Sequence, residues 1–274
     1  MDKPEGPSSF DVVARLRKVF QTRTIGHAGT LDPLATGVLV VAVGSYTRLL
    51  GVLSADDKRY LAQISFGTST TTDDREGQIV SRGDPSCIHE DQVRAALATM
   101  LGRTQQVPPV YSAVHIDGER AYDLARRGES VEMKSREVVI QSLSLLELTE
   151  NIAVVDVRCE KGTYVRAIAR DLGEKIGVPA HLFALRRTVS GAYTLADAVP
   201  LASVERDSLR TGVSALRGVT LVAVENHEAQ ALAQGKRVRA AGSFEGVALA
   251  HEGERPVALV RFESDMLVVQ RGFG

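Results

Sequence analysis

Gly26-His27-Ala28-Gly29-Thr30-Leu31-Asp32-Pro33-Leu34-Ala35-Thr36-Gly37 is the stretch on which the reading of this chain turns. Glycine admits positive φ and lets a backbone approach a ligand closely. Pro33 fixes its own φ and keeps Asp32 out of the helical region. Behind the loop, Val38–Val43 is an apolar run that reads as a buried strand. A carboxylate on a glycine-rich loop held by a strand sits where folds place reactive groups. An Asp-Pro pair taken alone is more often an ordinary turn, so the rest of the chain has to decide.

Upstream, Lys3-Pro4-Glu5-Gly6-Pro7 is a rigid opening, and Ser8 with Asp11 fits a capping box. Phe10, Val13, Leu16 and Phe20 then recur at helical spacing, with Arg15, Arg17 and Lys18 on other faces. Downstream, Ser45–Leu53 reads as helical and Lys58–Phe66 as a half-buried strand. Tyr60, Ala62, Ile64 and Phe66 share one face of that strand, and Tyr60 stands at the end nearest solvent. Gly67–Gly77 is a polar loop with repeated Thr and Asp. Glu90–Leu101 is a helix closed by Gly102. Val110–Ile116 reads as a strand, Asp117-Gly118 as a hairpin turn and Ala121–Arg127 as a short helix. Val138–Leu148 and Ile152–Cys159 are two further strands. Thr163–Ile176 is a helix capped by Gly177, with Arg166 and Arg170 four apart on one face. Leu182–Thr188 is a short strand, and Arg206–Gly218 resembles a linker. The last stretch of about sixty residues is a series of short β-rich runs around a helical turn, Glu228–Gln234, and the basic run Lys236-Arg237-Val238-Arg239. It reads as a small barrel or sandwich.

The 274 residues carry 33 basic and 34 acidic side chains, which argues against bulk attraction to nucleic acid. The charge is uneven, with seven Lys/Arg against three Asp/Glu from Arg158 to Arg187. A basic cleft on a neutral protein suits a phosphate-bearing ligand, and so does a plain solvated helix face. No run is long and apolar enough for a membrane span, and no signal-peptide core opens the chain. Cys87 and Cys159 suggest neither a disulfide framework nor a metal site, and His89 adds only one more stray ligand. A cytoplasmic protein is expected. G-x-S-x-G, P-loop, H-E-x-x-H and G-x-G-x-x-G patterns are all missing.

The loop resembles the signature of the TruB family of tRNA pseudouridine synthases. Asp2-Lys3-Pro4 with Ser8-Ser9, Lys58-Arg59-Tyr60, Pro109-Val110-Tyr111-Ser112-Ala113, Lys161-Gly162-Thr163-Tyr164-Val165-Arg166 and Leu185-Arg186-Arg187 agree with that family in order, over roughly residues 1–195. The resemblance implies isomerisation of a uridine in the tRNA T-loop, conventionally position 55, by base flipping, with no cofactor and no metal. It makes Asp32 the catalytic carboxylate, Arg166 its cationic partner, and Tyr60 the aromatic that stacks on the uracil and takes the final proton. His27, Lys3, Tyr164 and Leu185 match positions near the flipped nucleotide or its loop. In the tail, Lys236 and Arg237 are candidates for phosphate contact.

The implied fold is α/β (α+β): a mixed, mainly antiparallel sheet flanked by helices, with a small C-terminal PUA-like β-barrel. Residues 1–212 are expected to form the catalytic domain and 213–274 the RNA-binding one, in a monomer acting on the tRNA T-arm. Two rival readings are a non-catalytic T-arm folding chaperone and a pseudouridine synthase acting on another RNA. The chain begins at Met1-Asp2, without the short apolar strand that the family places before Asp-Lys-Pro. Either the start is misassigned or the sheet lacks an edge strand there.

Overall fold

The structure is a computed structural model that describes residues 1–54, 57–112, 114–116, 118–129 and 131–273. Ala113, which closes the Pro109–Ala113 motif, and Asp117 of the expected Asp117-Gly118 turn lie outside the described residues. In chain order the elements begin with β1 (Asp2–Lys3), α1 (Ser9–Phe20), β2 (Ile25–His27), β3 (Ala35–Val38), β4 (Val41–Val43), a 3-10 turn over Gly44–Leu49 and α2 (Leu50–Leu53). There follow β5 (Lys58–Phe66), β6 (Thr68–Thr70), β7 (Ile79–Arg82), α3 (Glu90–Ala98), β8 (Gly102–Gln106), β9 (His115–Ile116), β10 (Glu119–Arg120), α4 (Ala121–Arg126), β11 (Arg136–Thr149) and β12 (Ile152–Cys159). The chain closes with α5 (Val165–Ile176), β13 (Ala180–Ser190), β14 (Tyr193–Thr194), 3-10 turns between Leu195 and Ala215, β15 (Thr220–Ala223), α6 (Asn226–Ala233), β16 (Val238–Arg239), β17 (Ala248–Glu252), β18 (Arg255–Glu263) and β19 (Met266–Gly272).

Two compact units emerge. One holds Met1–Pro33, Gly37–Asp56 and Ser190–Gly274; the other holds Leu34–Thr36 and Asp57–Val189. In the second unit β13, β5, β12, β11 and β8 lie side by side in that order, and the pairs from β5 to β8 are antiparallel. Strand β5 alternates as its sequence demands. Tyr60, Ala62, Ile64 and Phe66 are buried, and Arg59, Leu61 and Gln63 are exposed. Each buried aliphatic side chain contributes about 1.5–3 kcal/mol. Helices α3 and α5 pack against each other, α3 against β11 and α5 against β5.

In the first unit β15, β17, β18, β19 and β16 form a five-stranded sheet, parallel between β15 and β17 and antiparallel thereafter. Helix α6 covers it through Ala229 and Leu232. A second apolar cluster joins Ala28, Val38, Val40, Leu49 and Leu53 to Val213, Leu249, Leu259 and Phe273. The segment that reads as a linker therefore places Val213 in a core.

Several expectations need correction. Val38–Val43 is not one strand: β3 ends at Val38, β4 starts at Val41, and buried Leu39 and Val40 lie between them. Gly67–Gly77 is not a bare polar loop, since β6 pairs with β7 and Thr70 and Asp74 are buried. Among the described residues of Val110–Ile116, only His115–Ile116 form a strand. The buried face of α1 is Ser9, Val12, Val13 and Leu16, which leaves Phe10 67% exposed. Asp2 and Lys3 themselves pair with Val38 and Gly37 as a short edge strand. No helix among the described residues is long and apolar enough to cross a membrane.

Candidate active site

The loop around Asp32 is fixed by its backbone. Ser9, in the first turn of α1, is 2% exposed, and its hydroxyl donates to the Leu31 carbonyl at 3.0 Å and accepts from the Leu31 amide at 2.8 Å. On the other side of Asp32, the Pro33 carbonyl accepts from the Gly6 amide at 2.9 Å and from Lys3 Nζ at 3.2 Å. Both neighbours of Asp32 are thus clamped, while Asp32 itself is half-buried. The capping box of Ser8 and Asp11 fixes the start of α1, from which Ser9 reaches across. His27 ends β2, paired with Val41, and is also half-buried. A Cβ at Gly26 would meet Leu50 Cδ1 at 2.6 Å, so the Leu50 side chain would have to shift to admit one.

Lys3 is fully buried, and its ammonium donates to the carbonyls of Pro4, Pro7 and Pro33. A charge held by these carbonyls props the loop.

The other candidates lie in the second unit. Tyr60 is 9% exposed on β5, opposite Val157, and so is more enclosed than a strand-end aromatic near solvent. Arg166 is buried in the first turn of α5. That turn is set by Gln106, itself buried, whose side chain accepts from the Tyr164 amide at 2.8 Å and donates to the Tyr164 carbonyl at 3.2 Å. Tyr164 also lies under the Arg136 guanidinium, 4.7 Å from the ring centre. Arg166 donates to the carbonyls of Thr72 at 3.0 Å and Tyr111 at 2.9 Å, and its Nη1 stands 3.4 Å from the Asp74 carboxylate. Asp74 is 4% exposed and accepts from the Thr72 hydroxyl at 2.5 Å and the Glu76 amide at 3.1 Å.

One turn along α5, Arg170 pairs with Asp73 at 2.8 Å and Asp171 at 2.7 Å. Burial pushes the Asp73 and Asp171 carboxyls up, against the pull of Arg170. Burial alone would lower Arg170, and the carboxylates of Asp171 and Asp73 reverse that and leave it raised. Leu185 is buried on β13, and its carbonyl accepts from the Thr36 hydroxyl at 3.4 Å. The end of the Gly26–Gly37 stretch is tied there, inside the second unit. Lys236 and Arg237 are exposed in the turn before β16. Among the described residues, no group of three or more His, Cys, Asp or Glu is close enough to hold a metal ion.

The structure therefore sets Lys3, from β1, against Pro33 of the loop that carries Asp32, with His27 at the end of β2. It sets Arg166 beside Asp74, and it leaves Lys236 and Arg237 on the C-terminal sheet.

The family description "TruB family pseudouridylate synthase (N terminal domain)" matches residues 17–165, and "tRNA pseudouridylate synthase B C-terminal domain" matches residues 166–223. The chain belongs to the TruB family. Among relatives, "tRNA pseudouridine synthase B" of Corynebacterium efficiens is 44% identical over 268 residues, which are 95% of this chain and 90% of the relative. The protein of the same name from Thermobifida fusca is 50% identical over 209 residues, 73% of this chain and 71% of its own length. A solved structure titled as a Cbf5-Nop10-Gar1 complex holds a chain that matches at a TM-score of 0.76 and 23% identity, covering 100% of this chain and 83% of that one. That likeness speaks for the fold. It agrees with the mixed, antiparallel-rich α/β architecture, and the C-terminal five-stranded sheet is consistent with a PUA-like domain.

The sequence reading of this TruB chain does not single out Gln106, Thr72 or Asp74, and it names Ser9 and Arg170 only as part of a motif and of a helix face. The Thr- and Asp-rich run 70–74 was the available signal for three of these contacts. A polar run facing two arginines four apart on a helix is a place where buried pairs form.

Proposed function

We propose that this TruB-family chain converts a uridine in the T-loop of tRNA, conventionally position 55, to pseudouridine. The observation that carries the reading is the clamped loop. A carboxylate whose two neighbours are fixed and whose own side chain is half-exposed suits attack or proton abstraction on a bound group. The reaction breaks N1–C1′, turns the uracil and joins C5 to C1′. Its net change moves one proton from C5 to N1, and no electron is gained or lost. It needs neither a redox group nor a metal.

In this proposal Asp32 acts at the sugar and Arg166 keeps it ionised and oriented. Tyr60 stacks on the uracil and accepts the C5 proton. The target base is stacked in a folded loop and has to be flipped out. His27 borders the flipped nucleotide, and Tyr164 and Leu185 wall its pocket. Lys236 and Arg237 touch backbone phosphates from the PUA-like part. Functionally, residues 1–212 carry the chemistry and 213–274 the added RNA grip, although packing divides the chain differently. The protein works as a cytoplasmic monomer without a metal.

The test is to treat tRNA, and separately an isolated T-arm hairpin, with the purified protein and to map pseudouridine. Conversion of a single T-loop uridine in both is expected. Absence of pseudouridine in tRNA contradicts the function, and conversion of tRNA but not the hairpin contradicts recognition through the T-arm alone.

A further inference from the structure

Helix α1 carries a stripe of residues away from its buried face. Phe10, Ala14, Arg17 and Gln21 fall at steps of four, three and four, which keep them on one side of the helix. Phe10 at one end is 67% exposed. At the other end, Ala14, Arg17, Lys18, Gln21, Thr22 and Arg23 line a shallow groove. Three of the six are cations and none is an acid. The Arg17 Nε atom is buried yet has no hydrogen-bond partner, and among the described residues none of the three cations has an ion-pair partner.

Cations in a last turn favour the helix dipole, which accounts in part for Arg17 and Lys18. Arg23 lies beyond the helix and gains nothing from it. The cap of the helix is also unusual. Gln21 holds a left-handed conformation, φ 52° and ψ 41°, at the position where α5 uses Gly177. That costs a residue with a Cβ roughly 1 kcal/mol, and it keeps an amide side chain at the groove where glycine would leave none.

We propose that this stripe is a second RNA contact, in which Arg17, Lys18 and Arg23 hold backbone phosphates of the tRNA stem while Phe10 lies against the nucleotides nearer the loop. The inference rests on the functional reading above. Its geometry comes from α1 itself, whose first turn is bonded to Leu31 beside Asp32. At about 1.5 Å per residue, Arg17 lies about 12 Å along the helix from Ser9. That is three to four nucleotides at about 3.4 Å of axis each. Phosphate contacts of this kind set affinity and register and leave the chemical step alone.

The experiment uses the full-length triple variant Arg17→Gln, Lys18→Gln, Arg23→Gln with whole tRNA. It reads KM, kcat, and the affinity for tRNA between about 50 and 200 mM salt. The expected result is a KM and Kd raised roughly tenfold or more, a kcat within about twofold of wild type, and a log–log salt slope reduced by about two to three. The charge-keeping pair Arg17→Lys, Arg23→Lys is expected to stay near wild type, because a phosphate needs the charge more than the fork. Single Arg23→Gln is the fallback for a triple variant that folds poorly, and its expected slope change is about one. A triple variant with unchanged KM, Kd and salt slope overturns the proposal. Wild-type protein that makes no pseudouridine in the same assay contradicts the functional reading instead, and the salt slope of binding still decides this one.

Discussion

Two loops of this protein each present an aspartate, and they enclose it to different degrees. In the Gly26–Gly37 loop the backbone is clamped on both sides of Asp32, by Ser9 on Leu31 and by Gly6 and Lys3 on Pro33. In the Thr68–Gly77 segment it is the side chain of Asp74 that is gripped, by Thr72, the Glu76 amide and Arg166, in a site closed to solvent. The two aspartates differ in enclosure: Asp32 is half-buried, within reach of a bound group, whereas Asp74 is 4% exposed. A carboxylate meant to react needs a fixed position and a route for its substrate, and one that anchors an arginine can be closed off.

The sharpest way to break the comparison is to truncate both aspartates. Asp74→Ala removes a buried carboxylate that accepts from the Thr72 hydroxyl and the Glu76 amide and stands 3.4 Å from Arg166, and is expected to cost about 3–5 kcal/mol of stability. Asp32→Ala, at a half-buried carboxylate, is expected to cost less. Denaturant unfolding reads both, and equal losses would erase the distinction. Next in size is Tyr60→Phe, which keeps the ring on β5 and removes the hydroxyl. A hundredfold or greater fall in kcat is expected if the hydroxyl is the base, in line with the ~10²–10⁴ that such groups contribute. Unchanged turnover would remove the base role and leave stacking in place.

Ser9→Ala sharpens the backbone side of the comparison. It leaves the Leu31 amide and carbonyl without their buried partner, at about 1–3 kcal/mol. It should lower kcat through a looser Asp32 while tRNA binding stays within about threefold. A wild-type kcat would mean the clamp does not position the carboxylate. The smallest effect concerns the interior of the second unit. Burial pushes the Cys159 thiol up to about 11, whereas Cys87 is exposed. An alkylating reagent at mildly alkaline pH should therefore label one thiol per folded chain and two after unfolding. Two labels on the folded chain would show that β12 is more open than its burial implies.

The sequence made the first loop legible and left the second obscure for a physical reason. Glycine and proline at fixed places announce a special backbone, and Ser8 with Asp11 announces a helix start. Strand β5 and helix α5 were plain from their periodicity, and the C-terminal β-rich series from its turns. Long-range side-chain bonds leave no local pattern. Nothing near Ser9 says that its hydroxyl binds Leu31, and nothing near Gln106 says that its amide holds Tyr164. Phe10 misled because it keeps helical spacing with Val13 while pointing outward. Lys3 matched a position near the active-site loop, and only the fold shows that carbonyls of Pro4, Pro7 and Pro33 hold it there as a strut.

The most direct measurement is single-turnover pseudouridine formation by Asp32→Asn on tRNA, taken beside its affinity for the same tRNA. The account predicts a rate reduced by about 10⁴ or more, with Kd within about threefold of wild type. A rate within tenfold of wild type would contradict it, because the clamped loop would then be presenting a group that the reaction does not use.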